Sequence, residues 1–203
     1  MKYQFTQLEE DIKNLYESLR IFTPSEIDMY YIANEMDVWI HQHHDESTVY
    51  KSRNGLYSIF LDERLSPQKQ WQDFGHEFCH VLKHVGNQHK LKIMFRQLQE
   101  NQANNFMYHF CVPTFMLLDL EVNNYMNISE GVEFISNTFN VTHEFAKVRL
   151  NHFQNQWLVA KSDAEHRSYM ASRYQKAGPY MQETLEVLNQ LNKILSKRKG
   201  VAN

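Results

Sequence analysis

The chain of 203 residues is about the size of one domain, or of one domain with an extension, and its composition argues against several classes of protein. Apolar residues make up 42% of it and aromatic residues 13%, which is enough to build a core and argues against a disordered chain. The net charge of −3 argues against broad binding to nucleic-acid phosphates, so no direct nucleic-acid partner is expected. Cys79 and Cys111 are too few for a disulfide scaffold and favour free thiols in a reducing compartment.

Neither a secretion signal nor a membrane span is predicted. The first residues, MKYQFTQLEEDIK, become charged and polar at once and form no apolar signal core. The most apolar run, 106–120, is shorter than a membrane span and includes Asp119. We therefore expect a cytoplasmic protein with no membrane partner.

The first forty residues are predicted to form two helices. Leu8, Ile12 and Leu15 recur at the spacing that places side chains on one helix face. Pro24 then interrupts the chain, and it suits the first turn of a second helix, which is expected over about 25–36.

The pattern changes to alternation between about residues 38 and 62. The segments VWIHQH and LYSIFLD place apolar and polar residues in turn, as a strand with one buried face does. Between them, Asn54-Gly55 is a turn signal because both residue types tolerate positive φ. We expect two or three antiparallel strands, with the tip of a hairpin near Asn54.

From residue 66 onward the chain is predicted to be helical. Ser66-Pro67 opens a long helix that continues to about His84, and Gly86 ends it. Further helices are expected at about 93–110, 114–126, 129–139 and 142–154.

The composition shifts after about residue 154. Residues 155–203 contain 8 Lys and Arg against 4 Asp and Glu, a net charge of +4, which leaves −7 in the rest of the chain. Gly178-Pro179 is a break, and Met181 begins an amphipathic pattern that ends in the basic run KRK. We predict a main domain at 1–154 and a helical C-terminal extension at 155–203, which docks on that domain, forms a dimer or recruits a partner. The oligomeric state is left open.

His76, Glu77 and His80 form an H-E-x-x-H pattern inside the predicted long helix. Residues four apart share a helix face, so the two imidazoles can bind one metal ion. Glu77 lies about 100° round the helix, where it can take a proton from water without being a ligand. Because zinc lowers the pKa of water to about 7 and polarises a carbonyl, the pattern indicates a zinc hydrolase. A helix with exposed histidines is the alternative, although Phe74 and Phe78 predict a half-buried one.

A catalytic zinc site needs a third protein ligand, and Glu100 is the candidate. It lies 20 residues after His80 on the next predicted helix, a distance that allows an antiparallel return. His84 and His89 are its rivals. However, His76 and His84 are about 12 Å apart along a helix axis, so they cannot both join His80 on one ion.

Other histidines and the cysteines have a simpler interpretation. Alternation sends His41 and His43 to one side of a strand and His44 to the other, which weakens a second metal site there. Cys79 points away from the motif histidines, and Cys111 lies in apolar company. Both thiols are expected to pack in the core.

The segments ENQANNF (100–106) and VP (112–113) resemble the E-x-x-A-N-x-F-A…L-x-P signature that follows the zinc helix in ImmA/IrrE-type metallopeptidases. IANEMDVWIH, GLYSIFLDERLS and FNVTHEFAKVRL are similar to other parts of that family, and the resemblance covers about residues 10–155. Within the family, the chain most resembles the ImmA branch, the anti-repressor proteases of mobile elements. Three departures are apolar and concern packing rather than the metal: Cys79, Met107 and the pair Cys111-Val112.

The resemblance implies a fold and a role for each site residue. It implies an α+β class, with a mostly helical zincin-like metallopeptidase as the main domain and a small antiparallel sheet. By position, His76 and His80 become ligands of one Zn²⁺ per chain, and Glu100 becomes the third ligand. Glu77 becomes the general base. Asn104 matches the family's asparagine, and we expect it to hydrogen-bond the metal helix.

The resemblance also implies a substrate. ImmA-like proteases cut a helix-turn-helix repressor encoded beside them, which releases a prophage or conjugative element from repression. A short strand such as 57–61 would take an extended substrate as an added strand.

Two other functions stay open. One is a protein that binds the repressor or senses a signal without cutting, although the intact Glu77 counts against it. The other is a DNA-binding regulator in which residues 135–150 form a helix-turn-helix. The second helix of that unit contains Glu144 and only two basic residues, Lys147 and Arg149, which counts against DNA binding.

Overall fold

A computed structural model of the chain describes residues 3–83, 93–120, 128–174 and 179–199. Helices dominate this described part, and a small sheet accompanies them, so the predicted α+β class is confirmed. In chain order the elements are α1 Gln7–Ser18, a 3₁₀ turn Pro24–Glu26, α2 Met29–Glu35, β1 Val38–His43, β2 Thr48–Lys51, β3 Tyr57–Asp62, α3 Pro67–Lys83, α4 Ile93–Cys111, α5 Thr114–Asp119, α6 Ile128–Phe139, α7 His143–Arg173 and α8 Gln182–Lys199.

The three strands form one mixed sheet in the order β1-β3-β2. β2 and β3 are antiparallel, and the turn between them contains Gly55 at φ +86°, a conformation that glycine adopts without strain. β1 runs parallel to β3, with Val38 opposite Tyr57, so the prediction of a wholly antiparallel sheet is wrong for this strand. Because β3 is central and bonded on both sides, the prediction that 57–61 accepts a substrate strand is also wrong.

The pair of helices α3 and α4 forms the centre of the core beside the sheet. Phe78 of α3 and Phe110 of α4 are fully buried, with ring centroids 5.3 Å apart. The helices approach closely at Gly75, where a Cβ atom would lie 2.8 Å from Cys111 Sγ. This glycine, which weakens the predicted helix in isolation, therefore permits the close packing that fixes α3 against α4.

Most predicted boundaries agree with the structure, with three differences. The helix predicted at 114–126 ends at Asp119 as α5. The predicted helix at 25–36 is a 3₁₀ turn followed by the shorter α2. The helix predicted to end near residue 154 continues to Arg173 as α7. The predicted stops at Gly86 and Gly178 lie outside the described residues.

The chain divides into two compact units, residues 1–160 and 161–203. The first contains the sheet and the whole buried core. In the second, none of the side chains that the structure describes is buried. Among the described helices, none combines the length and apolarity that crossing a membrane requires.

Candidate metal centre

The residues of the H-E-x-x-H pattern lie in the middle of α3, and Glu100 lies on α4, which packs against it. The apolar frame positions them: Phe74 and Phe78 are fully buried and face the core, which turns His76 and His80 toward α4. His80 is 4% exposed, and Glu100 keeps 41% of its side chain exposed, so solvent reaches the cluster from the side of Glu100.

The three predicted ligands lie close together. His76 Nε2 is 3.2 Å from Glu100 Oε2 and 3.3 Å from His80 Nε2. His80 Nε2 is 3.7 Å from Glu100 Oε1. Tetrahedral zinc with bonds of about 2.0–2.1 Å places its ligands roughly 3.3 Å apart, so this donor set fits the ion in spacing and in chemistry. No other cluster of this kind occurs among the described residues.

Asn104 supports the orientation of the first histidine. Its Oδ1 lies 3.2 Å from His76 Nδ1. A proton on Nδ1 donated to this amide oxygen would leave Nε2 free to bind a metal, which is how such outer contacts set the tautomer of ligand histidines. The expectation that Asn104 hydrogen-bonds the metal helix agrees with this geometry.

Glu77 is half-buried on α3, next to His76 and one turn before His80. The pKa of its carboxyl is raised to about 8, mainly by burial and also by the charges of Glu100 and Asp73, while a hydrogen bond from the Val49 backbone acts in the opposite direction. A carboxyl so placed is a stronger base than an exposed one and lies within the site rather than on the surface.

Two residues that lie near Glu77 are not predicted from the sequence. Asp73 is four residues before Glu77 on α3 and therefore shares its helix face. Its Oδ2 accepts a hydrogen bond from Ser47 Oγ at 2.5 Å, and Ser47 directly precedes β2. The spacing of Asp73 was a signal available in the sequence, whereas nothing in the sequence indicates that Ser47 reaches it.

The rival ligands His84 and His89 lie outside the described residues. His41 stacks on Phe60 with ring centroids 4.9 Å apart, and His44 pairs with Glu63 at 2.8 Å.

The two cysteines lie in the core as expected. Both are fully buried free thiols. Burial raises the pKa of Cys79 to about 12 and that of Cys111 well above its usual value. Neither thiol is poised for nucleophilic chemistry.

The structure argues against the DNA-binding alternative. Thr142 caps α7 by accepting a hydrogen bond from Phe145 N, so the predicted turn does exist. However, Phe145 and Leu150 are buried in the core. Arg149 is fully buried and donates to Val112 O. Of the two basic residues, only Lys147 is therefore left on the exposed face of α7, beside the acidic Glu144.

The chain is similar to a known protein family and to several known proteins. A model of peptidase family M78, the IrrE N-terminal-like domain, matches residues 29–151. The phage-like element PBSX protein XkdA of Bacillus subtilis (strain 168) is 49% identical over 149 residues, which are 73% of this chain and 74% of XkdA. The protein YqaB of the same strain is 36% identical over 151 residues, which are 74% of this chain and 86% of YqaB. Among solved structures, a Mycobacterium tuberculosis transcriptional regulator aligns with a TM-score of 0.49 and 11% identity, over 71% of this chain and 46% of that chain.

Proposed function

Because the chain belongs to peptidase family M78, the family of IrrE N-terminal-like domains, we propose that it is a zinc-dependent, site-specific endopeptidase that cleaves a helix-turn-helix repressor and so derepresses a prophage or conjugative element. The observation that carries this proposal is the cluster of His76, His80 and Glu100, with the Glu77 carboxyl beside it. A purely binding protein has no need of a proton acceptor in that position. The phage-like element in the name of XkdA supports a setting in a mobile element.

The donor set suits zinc better than harder or softer metals. His76, His80 and Glu100 would hold the ion, and two imidazoles with one carboxylate leave a fourth position open to a reactant. When bound there, zinc would act as a Lewis acid toward a peptide carbonyl and lower the pKa of water.

Glu77 would carry the proton transfers. Its carboxylate would take a proton from the attacking water and deliver it to the leaving amine. The raised pKa, near 8, makes it a competent base, and the positive charge of a bound cation would oppose this rise and keep the group ionised at neutral pH.

The edge strand β2 would hold an extended stretch of the substrate, in place of the central strand 57–61. Among the described strands β2 pairs only with β3, so no described strand covers its other edge and an added strand would pair there. The backbone of Val49 in this strand lies against the Glu77 carboxyl, which places the open edge beside the proposed base.

The test combines the purified protein with the repressor encoded beside it. We expect one specific cut with zinc, no cut with a chelator, and recovery when zinc is restored. Glu77→Gln should bind zinc as the wild type does and cleave at least about 10²-fold more slowly, because the proton acceptor is lost. Glu144→Gln, an exposed change on α7, is the matched control.

Two results would count against the proposal. Cleavage by Glu77→Gln at the wild-type rate would exclude the proposed role of this residue. Zinc-dependent binding of the repressor by the wild type without any cut would favour the non-cleaving function instead.

A further inference from the structure

Ser47 connects three elements beside the candidate site. Its hydroxyl donates to Asp73 Oδ2 on α3 at 2.5 Å and accepts from the backbone N–H of Asp62, the last residue of β3, at 3.1 Å. Ser47 itself is the residue before β2. A single side chain therefore ties the start of the edge strand to the metal helix and to the central strand.

These contacts of Ser47 align β2 with the face of α3 that carries Asp73 and Glu77. Ser47 contacts Asp73, and two residues further along the strand the backbone of Val49 contacts Glu77, four residues further along the helix. Two strand residues span about 6.6 Å and four helix residues about 6 Å. Because these lengths match, the strand and the helix run side by side in the same direction past Glu77.

Asp62, which Ser47 contacts at the end of β3, is itself held by hydrogen bonds. Asp62 is 6% exposed, and its carboxylate accepts two hydrogen bonds from the Arg64 guanidinium, both at 2.8 Å. Its carbonyl oxygen accepts from Gln70 Nε2 of α3 at 3.2 Å. With this end fixed, the Ser47–Asp73 bond determines how far the open edge of β2 stands from α3.

We propose that the Ser47–Asp73 hydrogen bond positions the open edge of β2 at the separation from Glu77 that an extended substrate backbone needs. As regards substrate, this inference rests on the proposed peptidase function. Neither side chain contacts the candidate ligands, so both are positioning residues rather than catalytic ones. The hydrogen bond is short and charge-assisted, which makes it one of the stronger kinds that a protein contains.

The test uses two pairs of variants in the full-length, zinc-loaded protein. Ser47→Ala and Asp73→Ala remove the hydrogen bond, whereas Ser47→Thr keeps the hydroxyl and Asp73→Asn keeps an acceptor oxygen. Thr48→Ala, which removes an exposed hydroxyl from the same strand, is the matched control. Because the second pair keeps the hydrogen-bonding groups, it distinguishes loss of this bond from a general loss of folding in the alanine variants.

The first readout is amide hydrogen exchange, which needs no substrate. Ser47→Ala should speed exchange in β2 by about tenfold or more, the factor that a hydrogen bond to a charged acceptor contributes. Exchange in α4 and the affinity for zinc should not change, because the candidate ligands lie on α3 and α4, whereas Ser47 lies just before β2.

The second readout is steady-state cleavage of a repressor peptide that spans the cut. Ser47→Ala and Asp73→Ala should each raise KM by about tenfold, because binding along β2 is weakened. In Ser47→Ala kcat should change by less than about threefold, because Glu77 and the charge of Asp73 stay in place. The double variant should be no worse than either single one, and Ser47→Thr should return KM toward the wild-type value.

Unchanged β2 exchange and unchanged KM in Ser47→Ala would overturn the inference. So would a fall in zinc affinity and kcat with KM unaltered, since that result assigns the bond to general stability. If the wild type cuts no repressor, the proposed function fails, while the exchange experiment still decides whether Ser47 positions β2.

Discussion

The Asn104 amide determines which nitrogen of His76 faces the other candidate ligands, since its Oδ1 is 3.2 Å from Nδ1. We predict that Asn104→Ala lowers the affinity for zinc by about 10–100-fold, because the ring loses the partner that fixes its tautomer. Competition with a chromophoric chelator measures this change. Asn105→Ala, at the next and exposed position of α4, is the control, and equal affinities in the two variants would exclude an orienting role.

His109 is a buried residue near the end of α4, and burial disfavours the charged form of its ring. The pKa of the ring is lowered to about 3, mainly by burial and also by the charges of Arg149 and His152. Glu9 Oε1 lies 3.7 Å from His109 Nδ1 and favours the protonated ring. Burial outweighs this attraction, because the Glu9 oxygen already accepts a hydrogen bond from Thr114 and is less available to the ring.

The low pKa of His109 predicts a loss of stability in acid. Between about pH 6.5 and 3 the unfolded chain binds a proton that the folded chain does not, so the free energy of unfolding falls as the pH falls. From pH 7.5 to 5 this group should cost up to about 2 kcal/mol. Urea unfolding at both pH values should show the loss reduced in His109→Gln and retained in His143→Gln, which changes an exposed ring. An equal loss in both variants would contradict the assignment.

At the level of elements, the contact between α3 and α4 depends on Gly75. Helix propensity alone predicts that Gly75→Ala stabilises α3 by about 1 kcal/mol. The new methyl group would lie 2.8 Å from Cys111 Sγ, which is buried and cannot move away easily. We therefore predict a net loss of about 1–2 kcal/mol in the free energy of unfolding, measured in urea.

A double-mutant cycle tests the cause of that loss. Cys111→Ala alone should destabilise by leaving a small cavity. In Gly75→Ala/Cys111→Ala the added methyl group meets less crowding, so the loss should be smaller than the sum of the single losses by about 1 kcal/mol. Strict additivity would show that the sulfur atom is not the obstacle.

The helices and the donor set were predictable because their signals are local. The i, i+4 spacing of His76 and His80 fixes their face on any α-helix, and the short connection to the next helix makes Glu100 a reachable partner. The parallel pairing of β1 was not predictable in this way. Alternation has a period of two in either direction, so it identifies a strand without telling which neighbour the strand joins.

Side chains whose role depends on elements distant in sequence were also missed. In the sequence, Arg149 is one of two basic residues on a candidate DNA-contacting helix. In the structure it is buried and donates a hydrogen bond to Thr114. Ser47 lies in a polar loop, and only the approach of β2 to α3 gives it a partner. Such contacts form when elements pack together, and the spacing of residues along one element does not indicate them.

For the molecule as a whole, the first residues and α7 are joined by a buried polar network. Tyr3 donates to Glu9 Oε1 at 2.8 Å, and Thr114 donates to the same oxygen at 2.5 Å. Arg149 of α7 donates to Thr114 at 2.6 Å. Since a buried charge that loses its partners is costly, this network makes the N-terminal segment part of the fold rather than a loose end.

The same N-terminal segment decides where the main domain ends. The sequence predicts an end at residue 154, whereas the first compact unit extends to residue 160. The difference contains Gln156, whose Oε1 lies 2.8 Å from the Tyr3 hydroxyl, and Trp157, whose ring stacks on that of Tyr3 at 5.9 Å. A chain cut at 154 would lose both contacts, and a chain cut at 160 would keep them.

We therefore predict that the chain 1–160 folds on its own and binds zinc as tightly as the full-length protein, because it contains the whole buried core and all three candidate ligands. The chain 1–154 should be less stable than 1–160 by about 1–2 kcal/mol, because it loses the partly buried Trp157. Urea unfolding followed by circular dichroism measures both, and Trp157→Ala in the chain 1–160 should reproduce most of the loss. Equal stabilities of the two truncated chains would place the end of the domain at residue 154 after all.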